Sequence, residues 1–110
     1  MASLPNYLRT NRKRLALSQE EVAFLLGVNG PDRGIKVSRD ENDARVPTLE
    51  TALAYEAIYG TPVRELYAGL YEQAEQEVAE RARIMSNRIT GKAKPKRDEV
   101  IANLVSKIIA

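Results

Sequence analysis

Apolar residues recur at three- and four-residue intervals along most of the chain, and no segment alternates convincingly enough to predict a strand, so the pattern predicts an all-α protein. Leu8 and Leu15 share one face of a first helix from about Pro5 to Ala16, where Pro5 suits a first turn that needs no N–H. Ser18 followed by Glu21 is a capping box opening a second helix, whose apolar stripe is Val22, Ala23, Leu25 and Leu26. Gly27 fits its left-handed stop. The turn-rich run Asn29 to Gly34 precedes a third helix from about Arg33 to Asn42 with Asp32 as N-cap. A start at Pro31 fits equally, and Gly34 weakens both versions.

After a loop from Asp43 to Pro47, a fourth helix opens at Pro47 or Thr48, carries Leu49, Leu53, Ala57 and Ile58 on one face and stops at Gly60. Thr61-Pro62 reads as cap and first turn of a fifth helix with Val63, Leu66 and Tyr67 apolar. Leu70, Ala74, Val78, Ala82, Met85 and Ile89 continue the helical period, predicting one long helix from Leu70 to about Ile89. Thr90 to Pro95 is a linker, and Asp98 begins a last helix with Val100, Ile101, Leu104, Val105, Ile108 and Ile109 on its apolar face.

Composition narrows the function classes. A chain of 110 residues suits one small domain and an appendage, expected at 1–69 and 70–110. No apolar run approaches the roughly 18 residues of a membrane helix and no signal-peptide pattern opens the chain, so a cytoplasmic protein is expected. With no cysteine and no histidine, the commonest nucleophiles, bases and metal ligands are missing. No phosphate-binding loop or paired-carboxylate motif replaces them, so neither an enzyme nor a cofactor or metal site is expected. Net charge is only +2, but the charge is patchy. Arg9 to Arg14 holds four basic residues, Glu72 to Glu80 four acidic and no basic ones, and Arg81 to Arg97 seven basic and no acidic ones. Patches of this kind guide encounters with polyanions more than the total does.

The run Leu8-Arg9-Thr10-Asn11-Arg12, then Leu17 to Ala23 with Gly27-Val28, then Val37-Ser38-Arg39-Asp40-Glu41 and Pro47-Thr48-Leu49-Glu50, resembles the Cro/XRE family of phage-repressor-type DNA-binding proteins over roughly Asn6 to Leu66. The resemblance implies a five-helix, Cro/repressor-like helix-turn-helix domain followed by a C-terminal helical extension, with helix three placed in the major groove of duplex DNA. Four residues separate the turn and helix three beyond the family spacing, so the register is carried from Val37 onward.

On that register the resemblance implies that Gln19 bonds a phosphate at a helix N-terminus, that Arg33, Lys36 and Arg39 face the groove with Ser38 nearby, and that Arg45 with the Thr48 helix start forms a second backbone clamp, to which a plain loop is an equal alternative. It also implies a structural ion pair between Arg12 and Glu41. Asp40 stands where the family carries an apolar residue. Either the insertion rotates helix three, or the helix has become a protein-contact surface.

A lone helix-turn-helix buries little DNA, and dimers read two half-sites. The acidic-then-basic order of the long helix suits antiparallel self-association, and the apolar stripe of the last helix is large for a monomer surface. Lys92 to Arg97 reads as a hinge. The expected function is a sequence-specific transcriptional regulator, a repressor by default, that binds duplex DNA as a homodimer. The alternative is a helix-turn-helix protein acting as a protein-interaction module, an antitoxin or accessory factor held through its C-terminal helices.

Overall fold

The computed structural model describes residues 6–42 and 46–109. The expected helix start at Pro5 and the loop residues 43–45, Arg45 among them, lie outside the described residues. Among the described residues there are seven helices and no strand: α1 Leu8–Arg14, α2 Gln19–Leu25, α3 Gly34–Glu41, α4 Leu49–Tyr59, α5 Val63–Leu66, α6 Ala68–Arg88 and α7 Pro95–Val105. None of them is long and apolar enough to cross a membrane. The contacts divide the chain into two compact units with the boundary between Leu70 and Tyr71.

In the first unit, local chemistry sets the helix ends. α1 is shorter than the apolar period suggests because the chain turns left-handed at Ala16, φ +58°. There the Leu17 N–H reaches back to the Arg12 carbonyl at 3.1 Å and the Ala16 N–H to that of Lys13 at 3.0 Å. α2 ends the same way at Gly27, φ +83°, with Val28 bonded to Ala23 at 2.9 Å and Gly27 to Phe24 at 3.0 Å. These are paired Schellman bonds, one built on glycine and one on alanine. Thr48 caps α4 by accepting from the Thr51 N–H, and Gly60 ends it in the left-handed region. Arg14 donates to the Tyr59 carbonyl at 2.9 Å, so one cation of the Arg9–Arg14 patch serves the C-terminus of α4. α5 takes its first N–H bond from the previous helix, Val63 to Glu56 Oε1 at 2.8 Å.

Leu8, Val22, Ala23, Val37, Ala52, Tyr55, Tyr59, Leu66 and Tyr67 form the core of this unit. α4 presents a different face from the one expected. Ala52, Tyr55 and Tyr59 point inward, whereas Leu49, 72% exposed, and Leu53 lie outside. Leu25 of α2 is likewise exposed. The turn Pro31–Arg33 replaces an Asp32 cap, and α3 starts at Gly34 with no side-chain cap. α5 stops at Leu66 because Tyr67 leaves the helical region, φ −119° and ψ 46°, and α6 begins afresh at Ala68.

The second unit is a hairpin of α6 and α7. α7 begins at Pro95, not Asp98: proline occupies the first helical position, and Asp98 Oδ2 accepts from the Lys94 N–H at 3.3 Å. Gln76 holds the far end, donating to the Lys107 carbonyl at 2.7 Å and accepting from the Ile109 N–H at 2.9 Å. The buried residues are Ala79, Ala82 and Ile101. Val100 and Ile109, expected on the apolar face, are exposed.

Candidate nucleic-acid interface

α2 and α3 form the pair on which the candidate interface rests. The Ser18–Glu21 capping box fixes the start of α2, with Oγ accepting from the Glu21 N–H at 3.0 Å and the Glu21 carboxylate accepting from the Ser18 N–H at 2.8 Å. The bond from the Ser18 N–H foremost, and then the Ser18 hydroxyl, hold the Glu21 carboxyl below its ordinary pKa. Gly34 allows the start of α3 to lie against α2, since a Cβ there would meet Glu20 Cγ at 3.3 Å. The glycine that weakens the helix by propensity is thus explained by packing. Val37 is fully buried beside Val22 and Ala23 in the same core.

With Val37, Asp40 and Glu41 turned inward, α3 presents the opposite stripe, Ile35, Ser38 and Arg39, and then Asn42 just beyond its last turn. Ile35, Arg39 and Asn42 are exposed and Ser38 is half-buried, its Oγ 3.5 Å from Asn42 Nδ2. Arg39 and Ser38 were expected here. Ile35 and Asn42 were not, although their spacing of four and three residues from Arg39 places them on its face.

The other expected contacts are engaged internally. Gln19 Nε2 donates to Glu41 Oε1 at 3.1 Å. Arg12 holds the same carboxylate with two bonds, Nε to Oε2 at 2.6 Å and Nη2 to Oε1 at 3.2 Å, and Arg9 Nε lies 3.5 Å from Oε1. The Glu41 hydrogen bonds raise the Arg12 pKa further above its ordinary value. Lys36 Nζ lies 3.2 Å from Asp40 Oδ2. The Arg33 guanidinium sits over the Phe24 ring, 5.5 Å from its centroid, and ties the 26–33 loop to α2. Thr48 is exposed and caps α4, while Arg45 lies outside the described residues.

Asp40 is 1% exposed, and this accounts for the anomaly at its position. Tyr55 donates its hydroxyl to Oδ2 at 2.7 Å, Lys36 supplies the countercharge, and the Asp40 carbonyl accepts from Asn6 Nδ2 at 2.9 Å. A buried carboxylate at the negative end of a helix needs such partners. Burial first, and then the Asp40 hydrogen bond, push the Tyr55 hydroxyl far above its ordinary range. Tyr59 is raised by burial and by the Glu41 charge, against an opposing pull from Arg12.

A shallow cleft beside the α3 stripe is lined by Gln19, Glu20, Pro31, Asp32, Gly34, Ile35 and Ser38, so two carboxylates stand at one edge of the face. No group of His, Cys, Asp or Glu among the described residues is placed to hold a metal ion. The chain matches no protein-family model, no curated protein and no solved structure.

Proposed function

We propose that the chain is a cytoplasmic transcriptional regulator of the Cro/XRE type that binds duplex DNA as a homodimer, with α3 in the major groove and repression as its default output. The observation that carries this reading is the exposed stripe Ile35, Ser38, Arg39 and Asn42 on a helix held firmly from behind. Each of these types has a partner on the major-groove edge: arginine bonds guanine in a bidentate manner, asparagine bonds adenine, serine takes either, and an apolar side chain meets the thymine methyl. The capped start of α2 and of α4 offers backbone N–H groups for the flanking phosphates. The test is selection from genomic fragments with purified protein at low and moderate salt. An enriched inverted repeat is expected. Binding without sequence preference at moderate salt would overturn the reading.

A specific observation favours a second reading, a protein-interaction module. Val46, Leu49 and Leu53 are exposed at or near α4, while Gln19 and Lys36 are occupied by Glu41 and Asp40. Arg39→Glu separates the two, because Arg39 is exposed and its reversal leaves the buried pairs intact. Loss of DNA binding supports the regulator. An unchanged cellular phenotype, together with loss of that phenotype on Leu49→Asp, supports the module.

A further inference from the structure

Among the described residues the α6–α7 hairpin fully buries Ala79, Ala82 and Ile101, two of them alanines, a small core for forty residues. Yet α6 runs for 21 residues. Tyr71, Val78 and Met85 stand on it at intervals of seven, 45%, 43% and 47% exposed, with the small, exposed Ala74 on the same side. A heptad-spaced apolar seam on a long helix is the surface of a coiled coil, and two hairpins joined on such a seam make a four-helix bundle.

We propose that this seam is the homodimer interface and that its occupant is α6 of a second copy, running antiparallel. The inference rests on the dimeric part of the reading above and names the surface responsible. Charge decides both occupant and direction. Glu75 and Glu77 flank the seam's first half and Arg81 and Arg88 stand on its second, while Glu80 and Arg83 pair with each other on the far side of the helix. Parallel pairing would set Arg81 against Arg81 within the seam and the acidic half against itself. Antiparallel pairing centred on Val78 sets Tyr71 across from Met85 of the second copy and brings Arg81 level with its Glu75. The same contact repeats on the other side of the two-fold axis, as an isologous interface requires. Halves that repel in one orientation thus attract in the other, and the helix is complementary to itself.

Sedimentation of the full chain, read as a dimer dissociation constant, tests the proposal, with circular dichroism confirming helix content for each variant. The wild-type chain should be dimeric. Val78→Asp should weaken the dimer at least tenfold without loss of helix. Arg81→Glu and Glu75→Arg should each weaken it severalfold, and the two together should restore it. A wild-type monomer at tens of micromolar, a dimer indifferent to Val78→Asp, or no rescue in the double variant would each overturn the proposal. A dimer with these responses but no sequence preference on DNA would leave the interface standing and remove the regulator reading.

Discussion

Asp40 is the residue on which the candidate interface turns. By holding Lys36 it would keep a cation from the phosphates of a bound duplex, so recognition in the proposed function would lean on base edges. Asp40→Asn keeps an acceptor for the Tyr55 hydroxyl and frees Lys36. DNA affinity should rise, and the slope of log affinity against log salt should steepen by about one, the value of a single added phosphate contact. Titration of a fixed duplex at several salt concentrations measures both. Arg39→Ala should cost about 1–3 kcal/mol against the preferred site and little against random duplex. Arg12→Ala leaves Glu41, which is 7% exposed, without its two-bonded partner, and should destabilise the first unit by about 3–5 kcal/mol in a denaturant melt. Tyr55 and Tyr59 hold their protons in the folded state above the ordinary tyrosine pKa of about 10. The unfolded chain releases them first, so stability is intact below that pH and falls as pH rises beyond it. Thermal melts from roughly pH 8 to 11 should show the fall, and Tyr59→Phe should make it shallower. At this scale the sequence was half legible. Lys36 and Asp40 stand four apart, a spacing that pairs charges on a helix, so that bond was open to reading. The Tyr55 hydroxyl that completes it comes from another helix, 15 residues away, and no local pattern announces it.

Among the elements, ends with a chemical signature were legible: the Ser18–Glu21 box, Gly27, Thr48 and Gly60 all act where their chemistry requires. Facing was less so. Hydrophobicity ranks Leu49 and Leu53 above Tyr55 and Tyr59, yet the tyrosines go inside, with the Tyr55 hydroxyl given to Asp40 and the rings stacked 5.8 Å apart. The apolar period runs on through the break between α5 and α6, so its exact place was not legible: Tyr67 departs from the helix only in its backbone angles. Ala16 carries its own prediction. An L-residue in the left-handed region costs about 1–2 kcal/mol, part of which glycine returns through unfolded-state entropy. Ala16→Gly should therefore stabilise the first unit by about 0.5–1 kcal/mol, seen as a rise of a few degrees in Tm.

The whole molecule pairs a unit with a nine-residue aromatic and aliphatic core with a hairpin whose buried set is two alanines and an isoleucine. Opening the hairpin should cost less than opening the first unit, so its amides should exchange first. Its melting should also shift upward with protein concentration if a second copy covers it, while that of the first unit should not.

The stacked Tyr55–Tyr59 pair has a spectroscopic consequence. The chain has no tryptophan and five tyrosines, four of which, Tyr7, Tyr55, Tyr59 and Tyr67, belong to the first unit. Tyr71, the fifth, is exposed on the single chain. Near-ultraviolet dichroism therefore reports chiefly on the first unit, whereas far-ultraviolet dichroism counts helix in both. The two signals, recorded on one unlabelled sample, resolve the melting of each half of the molecule without cutting the chain or attaching a dye.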